Sequence, residues 1–253
     1  MPKTLIEQFP KETRIARDDS MSLNIAELFC DTVQGEGINS GIPATFIRLQ
    51  GCTLVCVWCD TLEVWKQGNP YSIEEVLDMF EEAGMIPKFK AGQHIVLTGG
   101  SPLKQGIELL QFCRRFSARF GFSPHYEIEN ECVLLPPKEL VNFINTWNNS
   151  PKLENSGMKA RARYKPDVIS TTAKFVNSWF KFVISSVDDW NEIQKDYLEP
   201  GLIRREQIIL MPEGQDQEQV RGSYEATAEL AVRENVRMCD RLHITIWNKK
   251  TGV

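Results

Sequence analysis

The feature that most constrains the fold is a regular alternation of strand-like and helix-like segments along the chain. Short apolar runs alternate with segments of about 10 to 15 residues whose apolar side chains recur at helical spacing. Such alternation is typical of parallel βαβ units. Six strands are predicted, at residues 44–51, 94–98, 125–129, 179–184, 207–211 and 242–247. Because a closed barrel of this kind has eight strands, the sequence predicts an α/β fold with a partial, truncated parallel β/α barrel.

The helices predicted between these strands carry start and stop signals. Ser72 and Glu75 form a capping-box pattern, and Gly84 and Pro87 mark the end of the helix that they begin. Further helices are predicted at residues 107–120, 137–147 and 217–234. Residues 150–174 are irregular and polar, and we expect them to form a long functional loop.

Composition narrows the class of protein. With 253 residues, 42% of them hydrophobic, the chain has enough apolar surface for an ordinary core, and we expect an N-terminal arm (residues 1–21) and one domain (residues 22–253). The net charge of −5 predicts no direct binding of nucleic acid. The sequence lacks an apolar run of about 18 residues, so no membrane span is expected. The odd number of cysteines, 7, favours a reducing cytoplasm over a disulfide framework.

Three cysteines follow directly after the first predicted strand. Cys52, Cys56 and Cys59 lie in the same loop, and the Gly99-Gly100 turn follows the next predicted strand. Because the carboxyl ends of parallel strands meet at one rim, both segments are expected there. Thiolates suit zinc and iron–sulfur clusters. A structural zinc site needs a fourth ligand, which Cys30 or a distant histidine could supply, whereas a 4Fe-4S cluster accepts three cysteines and leaves one iron open. The spacing leaves both alternatives open.

The triplet resembles the cluster motif of radical S-adenosylmethionine enzymes. It has the same Cys-x3-Cys-x2-Cys spacing, with an aromatic residue, Trp58, before the last cysteine. In that superfamily the amino and carboxylate groups of S-adenosylmethionine chelate the open iron. Reductive cleavage of the cofactor then gives a 5′-deoxyadenosyl radical. The resemblance therefore implies that the cofactor is the fourth ligand of the cluster.

The flanking segments narrow the resemblance. They read FCDTVQGEG (29–37), GIPATFIRLQGC (41–52), VWCDT (57–61), TGGSP (98–102), SPKLENSG (150–157), LMPEG (210–214) and RLHI (241–244). Together they resemble the 7-carboxy-7-deazaguanine synthase family. That resemblance implies a homodimeric partial barrel that converts 6-carboxy-5,6,7,8-tetrahydropterin with loss of ammonia, in 7-deazapurine and queuosine synthesis. It also implies Mg2+ and a flavodoxin- or ferredoxin-like electron donor.

The resemblance also implies roles for individual residues. Cys52, Cys56 and Cys59 would hold the 4Fe-4S cluster, and the hydroxyl of Thr61 would bind Mg2+. The residues implied to bind S-adenosylmethionine are Trp58, Cys59, Asp60, Gly100, Ser101, Glu129, Ser150, Lys152 and Met211. The residues implied to bind the substrate are Val33, Gln34, Gly35, Glu36, Arg48, Thr98 and His243.

The chemistry of the implied substrate residues is apt, although simpler interpretations exist. An amide and a carboxylate at Gln34 and Glu36 suit the edge of a pterin, and the fork of Arg48 suits its carboxylate. The alternative for the first two residues is turn formation around their neighbouring glycines. Asp60 could instead cap a helix, and His243 could instead be a core residue of a strand.

Two positions depart from the family pattern. Ser101 stands where the family has a glutamate that accepts a hydrogen bond from the methionine amino group, and a hydroxyl brings no negative charge. In residues 129–132 only Glu129 matches the family.

Two other functions compete with the synthase. A radical activase carries the same triplet and forms a glycyl radical on a partner protein, but the QGEG segment and Arg48 favour a small carboxylated substrate. A binding domain held together by zinc is the non-enzymatic alternative.

Overall fold

The computed structural model of the chain describes residues 2–9, 21–250 and 252. Within them, ten strands form one sheet in the order β1-β2-β3-β5-β6-β7-β8-β9-β10, and β4 pairs with β2. The strands are β1 (Lys3–Ile6), β2 (Ser22–Val33), β3 (Pro43–Leu49), β4 (Asn69–Ser72), β5 (His94–Gly99), β6 (Tyr126–Asn130), β7 (Ile144–Asn149), β8 (Ser178–Ile184), β9 (Ile208–Pro212) and β10 (Arg237–Met238).

The helices follow the strands in chain order. They are α1 (Leu62–Trp65), α2 (Ile73–Glu82), α3 (Ile86–Lys90), α4 (Gly106–Phe120), α5 (Ala160–Arg163), α6 (Pro166–Thr172), α7 (Asp189–Ile193), α8 (Gln217–Glu234) and α9 (Leu242–Trp247). Short 3-10 helices lie at Pro102–Gln105, Lys138–Asn142, Glu154–Ser156 and Arg205–Gln207, and a π-helical turn lies at Gln194–Leu198. In the part of the chain that the structure describes, no helix is long and apolar enough to cross a membrane.

The sheet is an open barrel. Strands β3 and β5 to β10 run parallel to one another, whereas β1, β2 and β4 add antiparallel strands at one end. Over the described residues β1 and β10 lie at opposite ends of the strand order and do not pair. The predicted partial parallel β/α barrel is therefore confirmed.

Alternation along the strands separates the hydrophobic core from the barrel interior. In β6, Tyr126 and Ile128 pack in the main apolar core with residues of α2 and α4. Glu127 and Glu129 alternate with them in sequence and therefore point to the opposite face, into the barrel. The same alternation places Arg48 inside the barrel while Ile47 packs in the core. The interior of the barrel is thus polar at its carboxyl end.

Most of the predicted elements are confirmed, including the capping box of α2. The Ser72 hydroxyl accepts from the Glu75 N–H at 3.3 Å, and the Glu75 carboxylate accepts from the Ser72 N–H at 2.8 Å. Gly84 follows the end of α2, but Pro87 lies in the first turn of α3 and does not act as a stop. The predicted functional loop at residues 150–174 contains a 3-10 turn and the helices α5 and α6.

Two predicted elements are wrong. Residues 137–147 were predicted as a helix, but their second half begins strand β7, which is hydrogen-bonded to β6 and β8 on its two sides. Apolar residues at helical spacing were ambiguous there, and sheet pairing outweighs helix formation around the fully buried Trp147. Residues 242–247 were predicted as a strand but form helix α9, because β10 already occupies the edge of β9.

The predicted N-terminal arm is partly described. Residues 3–6 form β1, where Lys3 lies opposite Cys30 of β2. Residues 10–20 of the arm lie outside the described residues.

Candidate active site

A cavity opens at the carboxyl ends of the parallel strands. Of the residues that the sequence predicted for the site, all line this cavity except Ser101. The lining comes from the cysteine loop after β3, the turn after β5, the segment after β7, the QGEG turn and α9. The predicted residues therefore come together in space, although they are spread over most of the chain.

The cysteine loop is fixed against the Gly99-Gly100 turn by direct backbone packing. A β-carbon on Gly100 would lie 2.4 Å from the Gly51 oxygen and 2.5 Å from the Cys52 β-carbon, so any side chain there would collide. The Ser101 N–H donates to the Gly51 oxygen at 2.9 Å. A glycine is thus required where the turn after β5 supports the first cysteine.

Burial favours the protonated form of two of the three thiols in this loop. It raises the pKa of Cys52, and it raises the pKa of Cys56 to about 11, although Lys152 opposes the second shift. A metal centre binds thiolates rather than thiols. Binding of iron to this loop is therefore expected to release protons.

Beside the cysteines lies a small group of polar side chains. Lys152 Nζ donates to the Ser150 oxygen at 2.7 Å and to Ser150 Oγ at 2.8 Å, and it lies 5.6 Å from the centre of the Trp58 ring. Trp58 Nε1 donates to Asn155 Oδ1 at 3.2 Å. These contacts fix an aromatic ring and a cation next to the last cysteine.

Ser101 is fully buried behind the cysteine loop. Its Oγ accepts from the Thr53 N–H at 2.8 Å and lies 3.0 Å from Thr53 Oγ1. It also lies 3.5 Å from Cys52 Sγ. Its hydroxyl therefore supports the loop from outside the cavity.

The cavity is also lined by an interlocked group of charged residues, one of which, Asp60, directly follows Cys59. Lys181 of β8 donates to Glu36 Oε2, and Arg241 Nε donates to Glu36 Oε1 at 3.1 Å. Arg241 also donates to the Asp60 carboxylate. His243 Nε2 lies 3.9 Å from Glu36 Oε1 and 3.8 Å from Asp60 Oδ2. We call Glu36, Asp60, Lys181, Arg241 and His243 the charge cluster.

The charge cluster holds its carboxylates ionised. Burial opposes ionisation, but the positive charges of Lys181 and Arg241 lower the pKa of Glu36 from 4.5 to about 2. The pKa of Asp60 is likewise lowered against the effect of burial, chiefly by Arg241. Both groups are therefore hydrogen-bond acceptors at neutral pH.

Two other predicted residues, Thr98 and Gln34, are bonded to carboxylates at the barrel wall. Thr98 Oγ1 donates to Glu129 Oε2 at 2.7 Å. Gln34 Nε2 donates to Glu127 Oε1 at 2.7 Å and lies 3.4 Å from Glu129 Oε1. Gln34 Oε1 accepts from the Glu36 N–H at 3.2 Å, so Gln34 links the turn to the barrel wall.

Arg48 is the predicted residue with unused donors. Its Nε donates to Glu27 Oε1 at 2.6 Å. Its two terminal nitrogens have no hydrogen-bond partner within residues 2–9, 21–250 and 252. The guanidinium therefore presents a free edge to the cavity.

The alternative roles for Asp60 and His243 are wrong. Helix α1 has Thr61 rather than Asp60 at its N-cap, and Asp60 binds Arg241 instead. His243 lies in the first turn of α9, not in a strand, and its ring packs on Gly35. Thr61 Oγ1 lies 3.9 Å from Cys59 Sγ, at the junction between the cysteine loop and the charge cluster.

Sequence reasoning missed Lys181, Arg241 and Glu27. A lysine between Phe180 and Phe182 in an apolar strand was a usable signal, since such a lysine faces either solvent or a buried acid. Glu27 gave no signal, because β2 itself was not predicted.

The comparisons with known proteins agree with this geometry. Residues 33–128 match the family described as a 4Fe-4S single cluster domain. The fold resembles the crystal structure of QueE from Escherichia coli, with a TM-score of 0.65 and 23% identity over 88% of this chain and 96% of that one. Fold and cysteine loop define an iron–sulfur enzyme of the radical S-adenosylmethionine class.

Curated relatives define the family within that class. The 7-carboxy-7-deazaguanine synthase of Pyrobaculum aerophilum is 32% identical over 91% of this chain and 97% of its own length. The protein of the same name from Halobacterium salinarum is 28% identical over 91% of this chain and 92% of its own length. This chain belongs to the 7-carboxy-7-deazaguanine synthase family.

Proposed function

We propose that this chain converts 6-carboxy-5,6,7,8-tetrahydropterin to 7-carboxy-7-deazaguanine with release of ammonia, in the route to queuosine and other 7-deazapurines. The observation that carries the proposal is that one cavity is lined both by the three thiols of one loop and by the charge cluster with Arg48. A redox cofactor and a polar, carboxylated substrate need these two surfaces next to each other.

The cysteine side fits a 4Fe-4S cluster with bound S-adenosylmethionine. Cys52, Cys56 and Cys59 would hold the cluster, which leaves one iron for the cofactor. When bound, cluster and cofactor supply the radical chemistry. Trp58, Lys152 and the other predicted cofactor residues that line the cavity would orient the cofactor and exclude water from it.

Arg48 and the charge cluster fit the substrate. The free edge of Arg48 would bind the pterin carboxylate by a bidentate contact. Glu36, ionised by its two cationic partners, would accept hydrogen bonds from the amino and amide edge of the ring. His243 and Thr98 would lie beside the ring, and Gln34 would hold Glu36 through its N–H.

We place Mg2+ at Thr61, where one hydroxyl would act with substrate oxygens and water. The ligand atoms of Glu36, Asp60 and His243 lie within 4.8 Å of one another, which is close enough for one ion. Lys181 and Arg241 already neutralise those carboxylates, so a second cation is disfavoured there.

The proposed enzyme is a cytoplasmic homodimer, and the domain of each subunit spans residues 22–253. A flavodoxin- or ferredoxin-like protein reduces it, and it makes no direct contact with nucleic acid. The seven cysteines are all free thiols, which supports a reducing compartment. Sedimentation velocity would test the dimer.

The decisive experiment measures product. Protein prepared without oxygen and loaded with iron and sulfide is given reductant, Mg2+, S-adenosylmethionine and the tetrahydropterin. We expect 7-carboxy-7-deazaguanine and ammonia by mass spectrometry and a colorimetric assay. Cofactor cleavage without that product would disprove the substrate assignment, and a zinc ion without sulfide would disprove the enzyme class.

Arg48→Ala adds a test of the substrate side. We expect KM for the tetrahydropterin to rise about tenfold or more, because a charge-assisted contact is lost. The affinity for S-adenosylmethionine should stay unchanged. Arg119→Ala, on the outer face of α4, is the matched control. Equal loss of both affinities would contradict the assignment.

A further inference from the structure

One buried carboxylate at the cavity wall has no role in the arrangement described so far. Glu131 follows β6, lines the cavity beside the cysteine loop and is only 5% exposed. Its Oε1 accepts from Thr53 Oγ1 at 2.9 Å. Its Oε2 is shielded from water and has no hydrogen-bond partner among the described residues. A buried carboxylate with an unpaired oxygen is costly, and a ligand in the cavity that Glu131 lines would supply the missing donor once the side chain turns this oxygen towards it.

The surroundings of Glu131 indicate the kind of ligand. Burial raises the pKa of this carboxyl, whereas hydrogen bonds from its own amide, Thr53 and Ser101 lower it. Burial outweighs these donors and the pKa is raised overall, so a cation beside this carboxyl is needed to hold it as an anion within electrostatic reach of the Cys52 thiol. The group that fits is a cation with N–H donors that sits beside the first cluster cysteine. The ammonium of a cluster-bound amino acid has both properties.

The position of Ser101 strengthens this interpretation. Ser101 occupies the sequence position after the glycine pair, but its hydroxyl is used by Thr53 and points away from the cavity. Glu131 reaches the same Thr53 from the other side. Ser101 and Glu131 are thus joined through Thr53. The negative charge of this group is that of Glu131, in the segment after β6, and not of a residue in the turn after β5.

We propose that Glu131 binds the amino group of the methionine moiety of S-adenosylmethionine, in place of a carboxylate at position 101. The inference rests on the proposed function only in requiring that S-adenosylmethionine binds at the cluster. Its consequence is that the negative charge beside the methionine amino group comes from position 131, while Ser101 supports the cysteine loop.

The test measures cofactor binding rather than product. Holoenzyme with a full cluster is titrated with S-adenosylmethionine by calorimetry without oxygen. Glu131→Gln keeps an oxygen for Thr53 but removes the charge. We expect it to weaken binding at least about tenfold, the loss of one charge-assisted hydrogen bond. Glu63→Gln, an exposed change of the same kind on α1, should leave binding unchanged.

A deaminated analogue of S-adenosylmethionine identifies the contact. The wild type and Glu131→Gln should bind this analogue with affinities within about twofold of each other, because the group that meets Glu131 is missing.

Two results would overturn the inference. One is unchanged affinity in Glu131→Gln with full iron and sulfide. The other is an equal loss for S-adenosylmethionine and its deaminated analogue, which would make Glu131 a support of the Cys52–Thr53 backbone. A wild type that binds and cleaves the cofactor but forms no deazaguanine would refute the proposed function while leaving these binding results valid.

Discussion

The cysteine loop and the charge cluster are built in different ways. The cysteine loop is one short segment whose three thiols lie within eight residues, and burial raises the pKa of Cys52 and Cys56. The charge cluster draws on four separate segments, and its two carboxylates are ionised and paired with Lys181 and Arg241. The difference teaches that the cysteine loop depends on a local motif, whereas the charge cluster depends on the assembly of the whole open barrel.

The largest effect is expected when one thiol of the cysteine loop is removed. Cys56→Ala should abolish cluster assembly and cofactor cleavage, because a cluster with two remaining protein ligands is not retained. Iron and sulfide analysis and the yield of 5′-deoxyadenosine measure the effect. Cys30→Ala, a buried cysteine of β2, should keep both. A full cluster in Cys56→Ala would remove the loop from the metal site.

The next largest effect is expected when the arginine that joins the charge cluster is removed. Arg241→Met should lower the free energy of unfolding by about 3–5 kcal/mol, because two buried carboxylates lose a shared partner. Arg119→Met breaks ion pairs on the outer face of α4 and should cost about 1 kcal/mol or less. Urea denaturation measures the free energy of unfolding of both variants. Equal losses would show that the ion pairs of the charge cluster stabilise the fold no more than surface ion pairs do.

A pH series sharpens the same point. The pKa of Glu36 is lowered on folding from 4.5 to about 2, so its stabilisation is present above pH 4.5 and is lost as pH falls towards 2. Glu36→Gln should therefore be less stable than the wild type by roughly 3 kcal/mol at pH 6, with a smaller gap at pH 3.5. Urea unfolding of protein without iron and sulfide measures the difference in the free energy of unfolding. A stability difference that does not change with pH would show that Glu36 does not stabilise the fold through its charge.

The smallest effect is expected at Thr61, which follows Cys59 and Asp60 in the chain. Thr61→Val should raise the Mg2+ concentration for half-maximal activity several-fold, because a methyl group replaces one oxygen ligand that water can partly substitute. Thr171→Val on α6 is the control. An unchanged Mg2+ dependence would exclude Thr61 from the metal site.

The same contrast explains how far sequence reasoning reached. The parallel core strands, the capped helix α2 and the cysteine loop were predictable because each depends on neighbours in the chain. Strand β7 and helix α9 were not, since sheet pairing on both sides of Trp147 and occupation of the β9 edge are tertiary effects. Lys181 and Arg241 were missed as site residues because their partners lie far away in sequence.

The packing of His243 on the QGEG turn has an evolutionary consequence. A β-carbon at position 35 would lie 2.3 Å from Nδ1 of the His243 ring, so a side chain and the imidazole exclude each other. Position 35 cannot change alone: a larger residue there is tolerated only after the ring at 243 has gone. The two sites therefore form an epistatic pair with a fixed order, and any descendant that gains a side chain at 35 should already have lost the imidazole at 243.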